Sequence, residues 1–285
     1  VSLKLEQDGD GNSASGRQCR AEELMSWLDD IASNPGLIAA PLERKTPPPA
    51  FCAEPDGGRE AMWLQLTGFC NPSDAQHGPS CGGHALANAL EIMLRRDAPE
   101  SWLHGAISER IGTIQWQIDG GRIWKELRAH FYGNENGGLR MSEIADAPRV
   151  LGFEQLMTSR VSHRGVWREI ANGPIVIGLA LSDAWREPNS KNGYIRPLSP
   201  NPWAGHALCM MGTAVRRSHI YAIILNSWGG KWGYHGTCLV HQHYLEYCWI
   251  DDGVTITPES PSWWKNTKLL EYVIRHDEDE IKAQA

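Results

Sequence analysis

The stretch Asn226-Ser227-Trp228-Gly229-Gly230-Lys231-Trp232-Gly233 decides how this sequence is read. Immediately before it runs Tyr221 to Leu225 (YAIIL), an apolar segment of strand length. Upstream lies a second such segment, Ala207 to Thr213 (ALCMMGT), opened by His206. The short connection Ala214 to Ile220 joins the two, which predicts an antiparallel hairpin. That hairpin puts His206 and Asn226 near each other at one end. An asparagine there accepts from one imidazole nitrogen and so sets the tautomer and orientation of the ring. Trp228 then covers the hydrogen bond from water.

Working outward, two further strands are expected at Ile175 to Leu181 (IVIGLAL) and Thr237 to His241 (TCLVH). Before them the period is helical. Cys81 to Arg95 (CGGHALANALEIMLR) carries an apolar stripe of Leu86, Ala89, Leu90, Met93 and Leu94. Residues 122–132, 141–150 and 164–172 also read as helices, the last ended by Gly173-Pro174. Helices first and strands later predict an α+β fold, a helical lobe packed against an antiparallel β-sheet lobe with a cleft between them. Residues 1–60 read as an N-terminal extension: a polar arm, one short helix at 21–34, and a Pro- and Gly-rich linker over 41–60. The main domain is expected over 61–275, with a charged tail at 276–285.

Composition narrows the function. The 285 residues are 41% hydrophobic and 21% charged, enough apolar content for a sizeable core. The net charge of −7, with no long Lys/Arg run, argues against nucleic acid as a partner. No apolar run reaches the roughly 18–20 residues that span a bilayer. Val1 to Gly16 is polar and carries no signal-peptide core. Seven cysteines leave at least one thiol unpaired if the others form disulfides, and no CxxC pair suggests a zinc site.

Cys81 is the cysteine placed for chemistry. It opens a helix after Pro79-Ser80, with Ser80 as the expected N-cap. Helix N-termini stabilise a thiolate through the dipole and unsatisfied N–H groups. Gly82 and Gly83 are expected to leave room for a substrate. On its own this position fits a buried structural cysteine better; the distant His206/Asn226 pair is what raises it to a nucleophile candidate.

Taken together, these segments resemble the papain-like cysteine peptidases. The block Asn226 to Gly233 followed by Gly236 is similar to the family's segment around its catalytic asparagine. His206-Ala207 followed by Gly212 resembles the catalytic-histidine strand. Cys81 and Glu91 stand ten apart, as in the family's central helix, and Asp119-Gly120-Gly121 with Trp124 and Leu127 resembles its glycine-glycine segment. Gly173-Pro174 leading into IVIGLAL resembles the strand before the histidine.

The resemblance implies a papain-like fold and a thiol hydrolase that needs no cofactor and no metal. It implies that Cys81 attacks the scissile carbonyl, that His206 pairs with the thiolate and protonates the leaving amine, and that Asn226 orients His206. Gln76 would supply an oxyanion donor with the Cys81 backbone N–H. Gly120, Gly121 and Trp228 would border the substrate, Gly121 running beside its backbone. Protein or peptide is the implied partner. Gln76 stands five residues before the cysteine where the family has six, and Gly78, Gly82 and Gly205 replace characteristic family residues. Residues 1–60 carry no recognisable inhibitory prosegment, and read as a targeting or docking arm they suit a secreted or host-delivered microbial effector. The same triad also serves a transferase, deamidase or isopeptidase, and the fold alone serves a non-catalytic binding protein. Two other histidine features stand apart. His84 falls on the Cys81 face of the helix, expected as a core or groove residue. His241 and His243 form an HxH expected on a solvated strand end.

Overall fold

The computed structural model describes residue 76 and residues 78–112, 116–182, 185, 195, 204–216, 219–229, 232–233 and 236–275. The expectations for residues 1–60 and for the tail at 276–285 lie outside these described residues.

The helical part is built on α1 (Cys81–Asp97), whose apolar stripe is fully buried. It starts after a left-handed Gly78 (φ +65°) and stops at an extended Ala98, the conformation that a following proline enforces. Arg95 and Arg96 lie in its last turn, where positive charge meets the negative end of the dipole. α2 (Glu100–Ile111) buries only Leu103 and Ile107, so its apolar face is too thin to have been read from periodicity. α3 (Gly120–Tyr132) is capped by the Asp119 side chain, which accepts from the Arg122 N–H at 2.8 Å, and ends on left-handed Gly133. α4 (Met141–Val150) has the expected limits. The helix expected at 164–172 contracts to α5 (Val166–Glu169).

The sheet part holds β2 (Leu156–Val161), β3 (Ile175–Leu181), β4 (Ala204–Arg216), β5 (His219–Leu225), β6 (Thr237–His241) and β7 (Trp249–Pro258). Their spatial order is β2-β7-β3-β4-β5-β6, every pair antiparallel. β4 and β5 form the expected hairpin, longer than predicted, with a register shift between Met210 and Gly212. One sheet face packs Ile175, Ile177, Leu179, Leu208, Met210 and Ile224 into a single core. The helical part is not purely helical: β1 (Trp116–Ile118) pairs with the C-terminal β8 (Val273–Arg275), preceded by the short helix α7 (Thr267–Leu270). α1 packs directly on β3 and β4, so the junction of the two parts runs along its length.

Two expectations are corrected here. His241 and His243 do not share a strand. His241 ends β6, is buried against Tyr221, and its Nδ1 accepts from the His243 N–H at 3.2 Å, while His243 already belongs to α6 (Gln242–Cys248). The pair makes a helix cap rather than a solvated strand end, and no metal-binding cluster occurs among the described residues. Gly82 and Gly83 do not open space for a substrate either. A Cβ on Gly82 would press on Leu139 and Ile144 at 3.1 and 3.2 Å. One on Gly83 would lie 2.3 Å from the Gly120 carbonyl oxygen, and one on Gly120 would lie 2.6 Å from the His84 Cα. Gly83 and Gly120 let α1 and the start of α3 touch backbone to backbone, and Gly82 makes room for Leu139 and Ile144.

Because that contact involves rigid backbone, Gly83→Ala should destabilise the fold by about 3 kcal/mol, the upper range for overpacking. Urea denaturation of the variant beside wild type measures it; a change under about 0.5 kcal/mol would mean that the helices separate freely.

Candidate active site

Cys81 is the first residue of α1. Ser80 is the N-cap as expected, but it makes no side-chain capping bond; its carbonyl instead accepts from the His84 N–H at 3.2 Å and from His84 Nδ1 at 3.1 Å. The Cys81 thiol is free and half-buried. Burial pushes its pKa up, and the backbone N–H groups of Ala207, Gly82 and Cys81 itself oppose that rise. Ala207 belongs to β4 and directly follows His206.

His206 lies near the start of β4, opposite Leu179 of β3, and Asn226 follows the last residue of β5. The hairpin closes the distance between them: His206 Nε2 and Asn226 Oδ1 are 2.7 Å apart. The Ser227 N–H also donates to Asn226 Oδ1, at 2.8 Å, which fixes the amide with its oxygen toward the ring. Nε2 is then the donor nitrogen, and Nδ1 is the basic one left for a thiol. Both side chains are buried, Asn226 completely. The Trp228 ring lies over the imidazole with centroids 5.1 Å apart and planes tilted by 32°. Behind it stands Trp232, edge-on to Trp228 at 5.7 Å and stacked on Trp185 at 6.1 Å. The indole N–H of Trp232 donates to the Trp185 carbonyl at 2.7 Å. Trp228 thus shields the imidazole, and a second indole holds Trp228 in place.

Burial lowers the His206 pKa from its ordinary 6.5 to about 4. The Asn226 hydrogen bond opposes the shift and the nearby His84 adds to it. The raised thiol and the lowered imidazole each favour the uncharged form of their group.

Gln76 is tied to the same segment. Its N–H donates to the Ser227 carbonyl at 2.7 Å, and its Oε1 accepts from the Ser227 hydroxyl at 2.5 Å. Its Nε2 donates to the Gly78 carbonyl at 2.9 Å, so the shortened loop folds back on itself here. Gly121 is partly exposed, and a Cβ there would meet only the Asp119 carboxylate oxygen, at 3.3 Å. Gly120 differs from its expected role beside the substrate: it is buried against His84. Sequence reasoning missed Ser227 and Ala207. Ser227 stood inside the quoted block with no role assigned, whereas the Ala207 donor is a backbone group that carries no sequence signal.

A family model described as "Papain family cysteine protease" matches residues 114–257, just over half of the chain. The chain belongs to the papain family of cysteine proteases. The matched span includes His206 and Asn226 and begins beyond Cys81. A search of curated protein sequences returns no match. Among solved structures, the bromelain protease from Ananas comosus in complex with the E64 inhibitor is similar over 69% of this chain and 97% of its own, at 12% identity and a TM-score of 0.47. Digestive procathepsin L 3 of the Tenebrio molitor larval midgut is similar over 83% of this chain and 79% of its own, at 13% identity and a TM-score of 0.49.

The His206 shift carries a sign. Between about pH 4 and 6.5 the unfolded chain binds a proton at this ring and the folded chain does not, so stability rises with pH across that window. The contribution is roughly 3 kcal/mol, present above pH 6.5 and lost as the pH falls toward 4. Urea titrations at pH 4.5 and 7 should show it in wild type and lack it in His206→Gln.

Proposed function

We propose that this protein is a cysteine endopeptidase that cleaves protein substrates through an acyl-enzyme on Cys81. The observation that supports the reading best is the 2.7 Å contact between His206 Nε2 and Asn226 Oδ1, near the start of the strand on which the helix opened by Cys81 packs. In this account Nδ1 of His206 takes the thiol proton as the sulfur adds to the scissile carbonyl. The carbonyl electrons move to oxygen, which accepts hydrogen bonds donated by the Cys81 N–H and the Gln76 Nε2–H. Collapse of the adduct expels the amine, which leaves with the proton from His206. Water then repeats the sequence on the thioester, freeing the acid and restoring the thiol. Gln76 Nε2 leaves the Gly78 carbonyl to reach the oxyanion, and its tether to Ser227 keeps it close during that movement.

Transferase, deamidase and isopeptidase chemistry would use the same groups and differ in acceptor or leaving group. Product analysis separates them: an endopeptidase leaves new α-amino termini within the substrate, a deamidase leaves ammonia, and a transferase leaves a ligated product.

Proteome-wide N-terminal profiling with wild type and Cys81→Ala tests the proposal. New termini should appear with wild type only, and their persistence with Cys81→Ala would refute it. Gln76→Ala should lower kcat by about 100- to 1,000-fold with little change in KM, the usual effect of removing one oxyanion donor.

A further inference from the structure

The register of β7 against β3 is irregular next to the candidate site. Gly178 lies opposite Asp251 and Leu179 opposite Trp249, which leaves Ile250 as an extra residue with no partner. Such a bulge turns a side chain out of the regular alternation, and bulges recur beside active sites for that reason. Ile250 is 54% exposed, and among the described large hydrophobic residues only Tyr247 is more open.

Its side chain lies over two glycines. A Cβ on Gly205 would be 3.0 Å from Ile250 Cδ1, and one on Gly178 would be 3.5 Å from Ile250 Cγ1. Met141, the first residue of α4, closes Gly178 from another side at 3.6 Å. Both glycines border the reacting groups. Gly205 precedes His206, and Gly178 lies opposite Ala207, which follows it. Two adjacent strands without side chains at these points would leave a recess. Here Ile250 and Met141 occupy it, and the exposed part of Ile250 stands as an apolar ridge in its place.

We propose that Ile250 restricts one acyl-side position of the substrate, within two residues of the scissile bond, to a small side chain, glycine or alanine. The inference rests on the reading of Cys81 as nucleophile. A larger side chain would have to displace Ile250 from its two glycines, whereas glycine or alanine passes over the ridge. Ile250 makes this a filter by shape rather than by charge, because the neighbouring Asp251 is paired with Arg160 at 2.5 Å.

The test uses peptidyl vinyl sulfones that differ only in one acyl-side residue, carrying glycine, alanine, leucine or phenylalanine there. The rate of covalent addition is read by intact mass, at each of the two positions in turn. Wild type should react fastest with glycine or alanine at one position. Ile250→Ala should raise the leucine-to-glycine rate ratio at that position by about tenfold or more, the scale set by a few methylenes in an apolar site. Ile250→Val should move the ratio in the same direction by less, which separates a shape effect from a folding defect. A wild type that prefers leucine or phenylalanine at both positions, or an Ile250→Ala ratio equal to wild type, overturns the inference. Absence of labelling in wild type, or labelling that persists in Cys81→Ala, instead brings down the assignment of the nucleophile, and this inference with it.

Discussion

The site depends on how closely α1 lies against its neighbours. A helix whose first residue must meet the start of β4 needs a seat on the sheet and no obstruction from the helix beside it. The sheet seat is the face of β3 and β4, both cores of long apolar strands. The second requirement falls on Gly83 and Gly120, where a single methyl group on either backbone would collide with the other helix. That approach sets where Cys81, the first residue of α1, lies against the sheet. The seat of the thiol therefore rests on two glycines.

Burial then sets the electrostatics. Asn226 is fully buried and His206 nearly so, under a wall of Trp228, Trp232 and Trp185. In so dry a setting the neutral forms of thiol and imidazole are favoured over their ions. Three backbone N–H groups near the sulfur temper that preference, and the Asn226 oxygen tempers it at the ring. Both groups therefore favour their uncharged forms.

Much of this was legible in the sequence because it is written in long periodic elements. The apolar stripe from Leu86 to Leu94 and the runs IVIGLAL and TCLVH predicted their elements with the observed limits or nearly so. The hairpin that joins His206 to Asn226 followed from two apolar runs and a short link. What escaped was weakly patterned or non-local. α2 buries two side chains, β1 and β8 are three residues each and meet across the length of the domain, and β7 enters the sheet between strands that precede it in sequence. Glycine was the residue most easily misread. A glycine beside a nucleophile suggests room for a ligand, but Gly82, Gly83 and Gly120 are filled by neighbouring protein, while Gly121 is open. Pairing between distant segments decides that difference, and a local pattern does not record it.

The central claim is that His206, oriented by Asn226, makes Cys81 reactive among the cysteines of the folded protein. The most direct measurement is the rate of Cys81 alkylation by iodoacetamide at pH 7, located by peptide mapping, in wild type and in His206→Ala. The account predicts that Cys81 reacts well ahead of the buried Cys209, Cys238 and Cys248, and that loss of His206 slows it by about 100-fold or more, the usual scale of a positioned base. Equal rates at Cys81 in the two proteins would contradict it.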